Sequence, residues 1–212
     1  MPEYNKLNSE IAGKLSDVVG QRRFQLGEQV KPDYSHDEMP IYGKYMPEAV
    51  CLPETTEEVA QIMRICSENK IPVTVRGTGT GLVGGCVPVH GGIVLSTEKM
   101  NKIISYDMNN MVVHIQPGVL LCDLAADALA HGLMYPPDPG EKTATVGGNV
   151  LGNSIDWADQ KSTRLLARNS QKECFPSDNL TKLFLVLDYQ FVSADVKHRL
   201  SPSHVQVVVV TV

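Results

Sequence analysis

The sequence carries no excess of positive charge, no paired cysteine motif and no long apolar run, and each absence removes a class of function. Lys and Arg total 19 against 24 Asp and Glu, which gives a formal net charge of -5 and a pI near 5.7. Such a chain presents no basic field to a nucleic-acid backbone or an anionic membrane surface, so no nucleic acid is expected as a partner. The five cysteines, Cys51, Cys66, Cys86, Cys122 and Cys174, are odd in number and scattered, without a CxxC pair. Zinc and a redox disulfide are therefore not expected, and reduced, mostly buried thiols are. No run of about eighteen apolar residues occurs, and residues 1–10 are polar without an apolar signal core, so neither a membrane span nor a signal peptide is expected. The expected location is cytoplasmic. No internal repeat or low-complexity tract is present.

What is there is enough for a core. With 212 residues, 42% of them hydrophobic and 20% charged, the chain has the length of one soluble domain, or of one domain plus a fragment. Residues 8–19 place Ile11, Leu15, Val18 and Val19 at helical spacing. Residues 30–46 hold Pro32, Asp33, Ser35, Pro40 and Gly43 and predict an extended, looping segment. The apolar run at 49–52 ends at Pro53, and Thr55 followed by Glu57 and Glu58 reads as the capped start of a helix running to about Asn69, with Val59, Ile62, Met63 and Cys66 as its apolar stripe. A strand at 71–75 completes a strand-helix-strand unit, which implies a parallel pair. Further strands are predicted at 93–96 and 111–115, and a helix at 120–131 ended by Gly132. The sum is a mixed α+β architecture. Residues 205–212 form a β-prone apolar run whose exposed edge would be a liability.

The most informative residues are Arg76-Gly77-Thr78-Gly79-Thr80-Gly81-Leu82-Val83-Gly84-Gly85, directly after a strand, where backbone without side chains can wrap a phosphate. Gly79, Gly81 and Gly84 satisfy a GxGxxG spacing, and Glu98 lies about where a ribose-binding acid would sit. A nicotinamide-type loop must open a helix, however, and these glycines lead into Cys86-Val87-Pro88-Val89-His90-Gly91-Gly92, which does not sustain one. No Lys followed by Ser or Thr closes a P-loop. A diphosphate held by loop amides is the expectation, and preferential binding of NADH would revive the nicotinamide alternative.

The run from Pro72 through Arg76-Gly77-Thr78-Gly79-Thr80-Gly81-Leu82 to Gly84-Gly85 resembles the pyrophosphate loop of the vanillyl-alcohol-oxidase-like flavoproteins with a PCMH-type FAD-binding domain, within them most nearly the glycolate oxidase and D-lactate dehydrogenase group. Three further elements are similar and in order: Pro53-x-Thr55-x-Glu57-Glu58-Val59, Gln116-Pro117-Gly118-Val119, and Tyr135-Pro136-Pro137-Asp138-Pro139-Gly140 running into Thr145-Val146-Gly147-Gly148-Asn149. The resemblance implies an N-terminal α/β subdomain plus part of a second α+β subdomain, an incomplete flavin domain. It implies that amides of Arg76, Gly77, Thr78, Gly79, Thr80, Gly81 and Leu82 hold the FAD pyrophosphate, with Thr80 adding a hydroxyl. Pro137, Asp138, Thr145, Gly148 and Asn149 would line the pocket toward the flavin ring. Ordinary alternatives stand beside these: Arg76 as a surface guanidinium, Asp138 as a turn residue, His90 and His114 as solvated or core histidines. Some relatives tether flavin through a loop histidine; none lies between Arg76 and Gly85, so noncovalent FAD is implied, with Cys86 a poor tether.

The resemblance covers residues 1–150, and residues 151–212 match nothing in it. A switch this abrupt is what a frameshift, a misread splice boundary or a truncated gene model produces; the alternative is a short protein whose tail, with strand candidates at 183–187 and 205–210, completes the sheet in its own way. In the family a substrate C–H gives hydride to flavin while a base takes the hydroxyl proton. The implied substrate is a small 2-hydroxy acid, and the electron acceptor is left open. The acid/base histidine and the substrate-binding arginines belong to the portion the tail does not match, so no catalytic residue is nominated. His198 and His204 are too isolated to nominate as a base or as metal ligands. The implied function is the FAD-binding part of a flavin-dependent 2-hydroxy-acid oxidoreductase, the alternative a noncatalytic flavin-domain fragment or binding module.

Overall fold

The computed structural model describes residues 4–108, 112–133, 135 and 140–152. The chain divides into two compact units, one reaching Met100 and the other starting at Asn101. The tail strand candidates, Cys174, His198 and His204 lie outside the described residues.

In the first unit Asn8 caps helix α1 (Ser9–Val19) by accepting the Ile11 amide at 2.9 Å, and the helix buries Ile11, Ala12, Leu15 and Val19. Strand β1 (Phe24–Leu26) follows, then β2 (Ala49–Cys51), and helix α2 (Thr56–Glu68) starts at Thr55, whose hydroxyl accepts the Glu58 amide at 3.2 Å. Helix α2 buries Val59, Ile62 and Cys66 and packs with α1. Strands β3 (Val73–Arg76) and β4 (Ile93–Ser96) complete a sheet of order β1-β2-β4-β3, with β1 antiparallel and the rest parallel. The strand-helix-strand unit does run parallel, but its two strands are not neighbours, because β4 lies between them. Burial accords with this order: β2 and β4, inside the sheet, are buried at every residue, whereas β3 at its edge exposes part of three of its four. The looping segment expected at 30–46 contains two short 3-10 turns, Pro32–Ser35 and Pro40–Tyr42, each opened by its proline. Val30 and Tyr34 from it join Val50, Leu52 and Val94 in a small core cluster.

The second unit pairs β5 (Ile103–Asp107) with β6 (Val112–Ile115) as an antiparallel ribbon. Helix α3 (Leu121–Ala130) follows, with His131 as C-cap and Gly132 at φ +73°, and then the short helix α4 (Val146–Gly152). Its core is Val113, Ile115, Val119, Leu121, Leu124, Ala128, Leu133, Ala144 and Val146. The sequence pattern predicts none of β1, β5 and α4. Helix α4 holds three glycines in seven residues, poor helix material. It forms because its first three amides are satisfied: Val146 donates to the Val119 carbonyl at 2.8 Å, Gly147 to the Pro117 carbonyl at 2.9 Å, and Gly148 to the Thr145 hydroxyl at 3.2 Å. These bonds join Gln116-Pro117-Gly118-Val119 to Thr145-Val146-Gly147-Gly148-Asn149 in space. Among the described residues no helix is long and apolar enough to cross a membrane.

Candidate functional site

Strand β3 delivers the glycine loop at its carboxyl end, where open α/β sheets place ligands. Arg76, the last strand residue, is not a surface guanidinium: it is 6% exposed and donates from Nη1 to the His36 carbonyl at 2.6 Å. The same nitrogen reaches Cys86 Sγ at 3.4 Å, and the guanidinium carbon lies 5.8 Å from the centre of the Tyr34 ring. Gly79 sits at φ +86°, and a Cβ there would lie 1.9 Å from Arg76 Nη2, so the loop crosses directly over the guanidinium only because Gly79 has no side chain. At the far end Gly84, at φ +73°, packs its Cα over the Tyr42 ring, which a Cβ would strike at 2.7 Å.

Between these points the backbone is open. Among the described residues the amides of Gly79, Thr80, Gly81, Leu82 and Val83 donate to no protein acceptor, and the Thr80 hydroxyl has no partner. Leu82 and Val83 are exposed. The glycines lead into turns rather than a helix, as expected from Pro88 and Gly91-Gly92. A cavity of about 510 Å³ opens beside the loop, lined among others by His36, Asp37, Lys44, Arg76, Thr78 and Gly79. A row of unpaired N–H groups in a glycine turn is an anion-binding surface, and the fit to a diphosphate rests on it.

In the second unit Thr145 is buried and caps α4 through its hydroxyl. The Gly148 amide is thereby already engaged. Asn149 differs: its Nδ2 is buried and has no hydrogen-bond partner. A buried amide donor left unpaired costs about 1–3 kcal/mol, so an acceptor supplied by a ligand fits it. Burial pushes the Tyr135 phenol up to about 12. Pro137 and Asp138 lie outside the described residues. His90 is exposed beside Tyr4, His114 is half-buried, and among the described residues no group of His, Cys, Asp or Glu could hold a metal.

Sequence reasoning missed Asp37. It is buried, accepting the Gly84 amide on Oδ2 at 2.7 Å and the Met39 amide on Oδ1 at 3.0 Å. The only signal was an acid inside a turn-rich segment, which ordinarily reads as solvated.

A mostly parallel sheet that ends in a glycine loop with open amides, followed by an α+β unit, is the arrangement expected of a PCMH-type FAD-binding domain. The chain matches the FAD_binding_4 family, described as an FAD binding domain, over residues 47–167, and it belongs to that family. It is 53% identical over 152 residues to a D-lactate dehydrogenase of Anaerostipes hadrus, covering 72% of this chain and 32% of that protein. It is 39% identical to glycolate oxidase subunit GlcD of Bacillus subtilis over 70% of this chain and 32% of that one. The chain thus spans about a third of the length of these curated relatives. Among solved structures, p-cresol methylhydroxylase with substrate bound superposes with a TM-score of 0.59 at 26% identity, over 67% of this chain and 28% of that chain. Alkyldihydroxyacetonephosphate synthase superposes with a TM-score of 0.62 at 19% identity, over 69% of this chain and 32% of that one, a likeness of fold.

Proposed function

We propose that this chain is the FAD-holding part of an oxidoreductase that oxidises a small 2-hydroxy acid of the lactate or glycolate type. The observation that carries the reading is the run of five unpaired amides at residues 79–83, over a guanidinium fixed beneath Gly79. Amides of Arg76 to Leu82 would hold the pyrophosphate, and the Thr80 hydroxyl would add a donor. Asn149 would give its orphaned Nδ2 to a flavin acceptor, with Thr145 and Gly148 holding Asn149 in place through the α4 cap, and Pro137 and Asp138 lining the same stretch. When bound, FAD supplies the hydride acceptor. The named D-lactate and glycolate relatives support the substrate class. Binding would be noncovalent, since residues 76–85 hold no histidine and Cys86 is already engaged by Arg76.

Incubating the purified chain with excess FAD, desalting it and recording the visible spectrum tests this. Retained flavin that passes into the supernatant on acid precipitation is expected. A colourless protein fraction would overturn the flavin reading, and flavin pelleting with the protein would overturn noncovalent attachment. Anaerobic bleaching of the retained FAD by D-lactate or glycolate tests the substrate class, and retained FAD that neither bleaches would point to a flavin-binding module without turnover.

A further inference from the structure

We propose that Asp37 is a positioning residue for the flavin loop, its carboxylate clamping the loop at Gly84 so that the amides at 79–83 stay turned toward a ligand. The proposal rests on the FAD reading above. Asp37 is 5% exposed, and a carboxylate that far from water persists only where its oxygens are used. Both are: one takes the Gly84 amide and the other the Met39 amide. The adjoining residues grip the loop at further points. The His36 carbonyl takes the Arg76 guanidinium at the loop's root, the Glu38 amide donates to the Gly81 carbonyl at 3.2 Å at its crest, and the Tyr42 ring supports Gly84 at its end.

Root, crest and end are thus fixed by one segment, residues 36–42, that is remote in sequence. The bonds it makes use the Gly84 amide and the Gly81 carbonyl and leave the five ligand-facing amides untouched. A loop with this many glycines has high conformational entropy, and ordering it at the moment of binding would weaken binding. A clamp made beforehand removes that cost.

The test is Asp37→Asn in the full chain, read in two ways. Hydrogen exchange without FAD should show the two hydrogen-bonded amides at the loop's end, Gly84 (to Asp37) and Val87 (to the Gly84 carbonyl), exchanging about tenfold faster, with α2 unchanged, as expected for loss of a charge-assisted bond. FAD titration should show affinity weakened about tenfold to a hundredfold. Val59→Ala, in the α2 core, should lower the melting temperature yet leave both readouts at the parent level, which separates positioning from general stability. Should Asp37→Asn fail to fold, Tyr42→Ala, at a position 38% exposed, attacks the same support and should also speed loop exchange. Unchanged exchange in the loop, or parent-like FAD affinity in Asp37→Asn, overturns the clamp. A parent chain that takes up no FAD overturns the flavin reading, and exchange alone then decides the clamp.

Discussion

Single residues here divide into those that hold the fold and those left open for a ligand, and Asn149 separates the two most clearly. Its buried Nδ2 without a partner costs the ligand-free chain stability. Asn149→Ala is therefore expected to melt no lower than the parent without FAD, because loss of the stranded donor offsets lost packing, and to retain less FAD after desalting. A lower melting temperature with unchanged flavin would instead make Asn149 a structural residue. The cysteines make a similar distinction. Burial pushes the Cys51 and Cys66 thiols up to about 12, so both stay protonated at mildly alkaline pH. Cys122 is exposed. Alkylation followed by peptide mass spectrometry should label Cys122 in the native chain and Cys51 and Cys66 only after denaturation, since the thiolate is the nucleophile.

At the scale of elements, the start of α2 is strapped to the segment before β1. Arg23 donates from Nη1 and Nη2 to the two Glu58 oxygens at 2.6 and 2.7 Å, and Glu58 also accepts the Glu54 amide. The Arg23 bond, the largest cause, holds the Glu58 carboxyl below its ordinary value of 4.5 against the opposing effect of burial. A carboxyl lowered on folding contributes stability that is fully present above that ordinary value and is lost as pH falls through the folded value. Glu58→Gln should cost about 1–2 kcal/mol at neutral pH and remove part of the acid-induced loss in urea unfolding. Equal acid sensitivity in parent and variant would show the strap contributes nothing. This element was legible because Thr55, Glu57 and Glu58 spell a helix start locally, as was β4 from the apolar, β-prone run Ile93-Val94-Leu95. By contrast β1 and α4 exist through partners distant in sequence: β1 pairs with β2, and α4 draws two of its first three amide acceptors from Pro117 and Val119. The glycine loop could be read for the same local reason as α2, while Asp37 could not, since its worth lies in Gly84, 47 residues away. The order of the sheet was likewise hidden, because β2 and β3 both pair with β4, a strand distant from β2 in sequence, and no local pattern records such pairing.

For the molecule as a whole, charge balance sets how an anionic cofactor would be held. The net charge of -5 repels a pyrophosphate at long range. Attraction then has to come from short-range groups: the amides at 79–83, and the Arg76 guanidinium held under Gly79. Backbone dipoles and a buried cation are weakly screened by salt, whereas the repulsion from exposed acids is screened over about 8–10 Å at physiological ionic strength. Raising salt should therefore leave FAD affinity level or tighten it slightly. A cofactor held by exposed cations would behave oppositely, weakening with each increment of salt. Lys44, which lines the cavity beside the loop, is the exposed-cation candidate, and Lys44→Gln discriminates the two cases. If FAD titrations across a salt series show a steep loss that Lys44→Gln abolishes, the lysine carries the pyrophosphate. A flat series in both chains assigns it to the loop amides that the glycine sequence exposes.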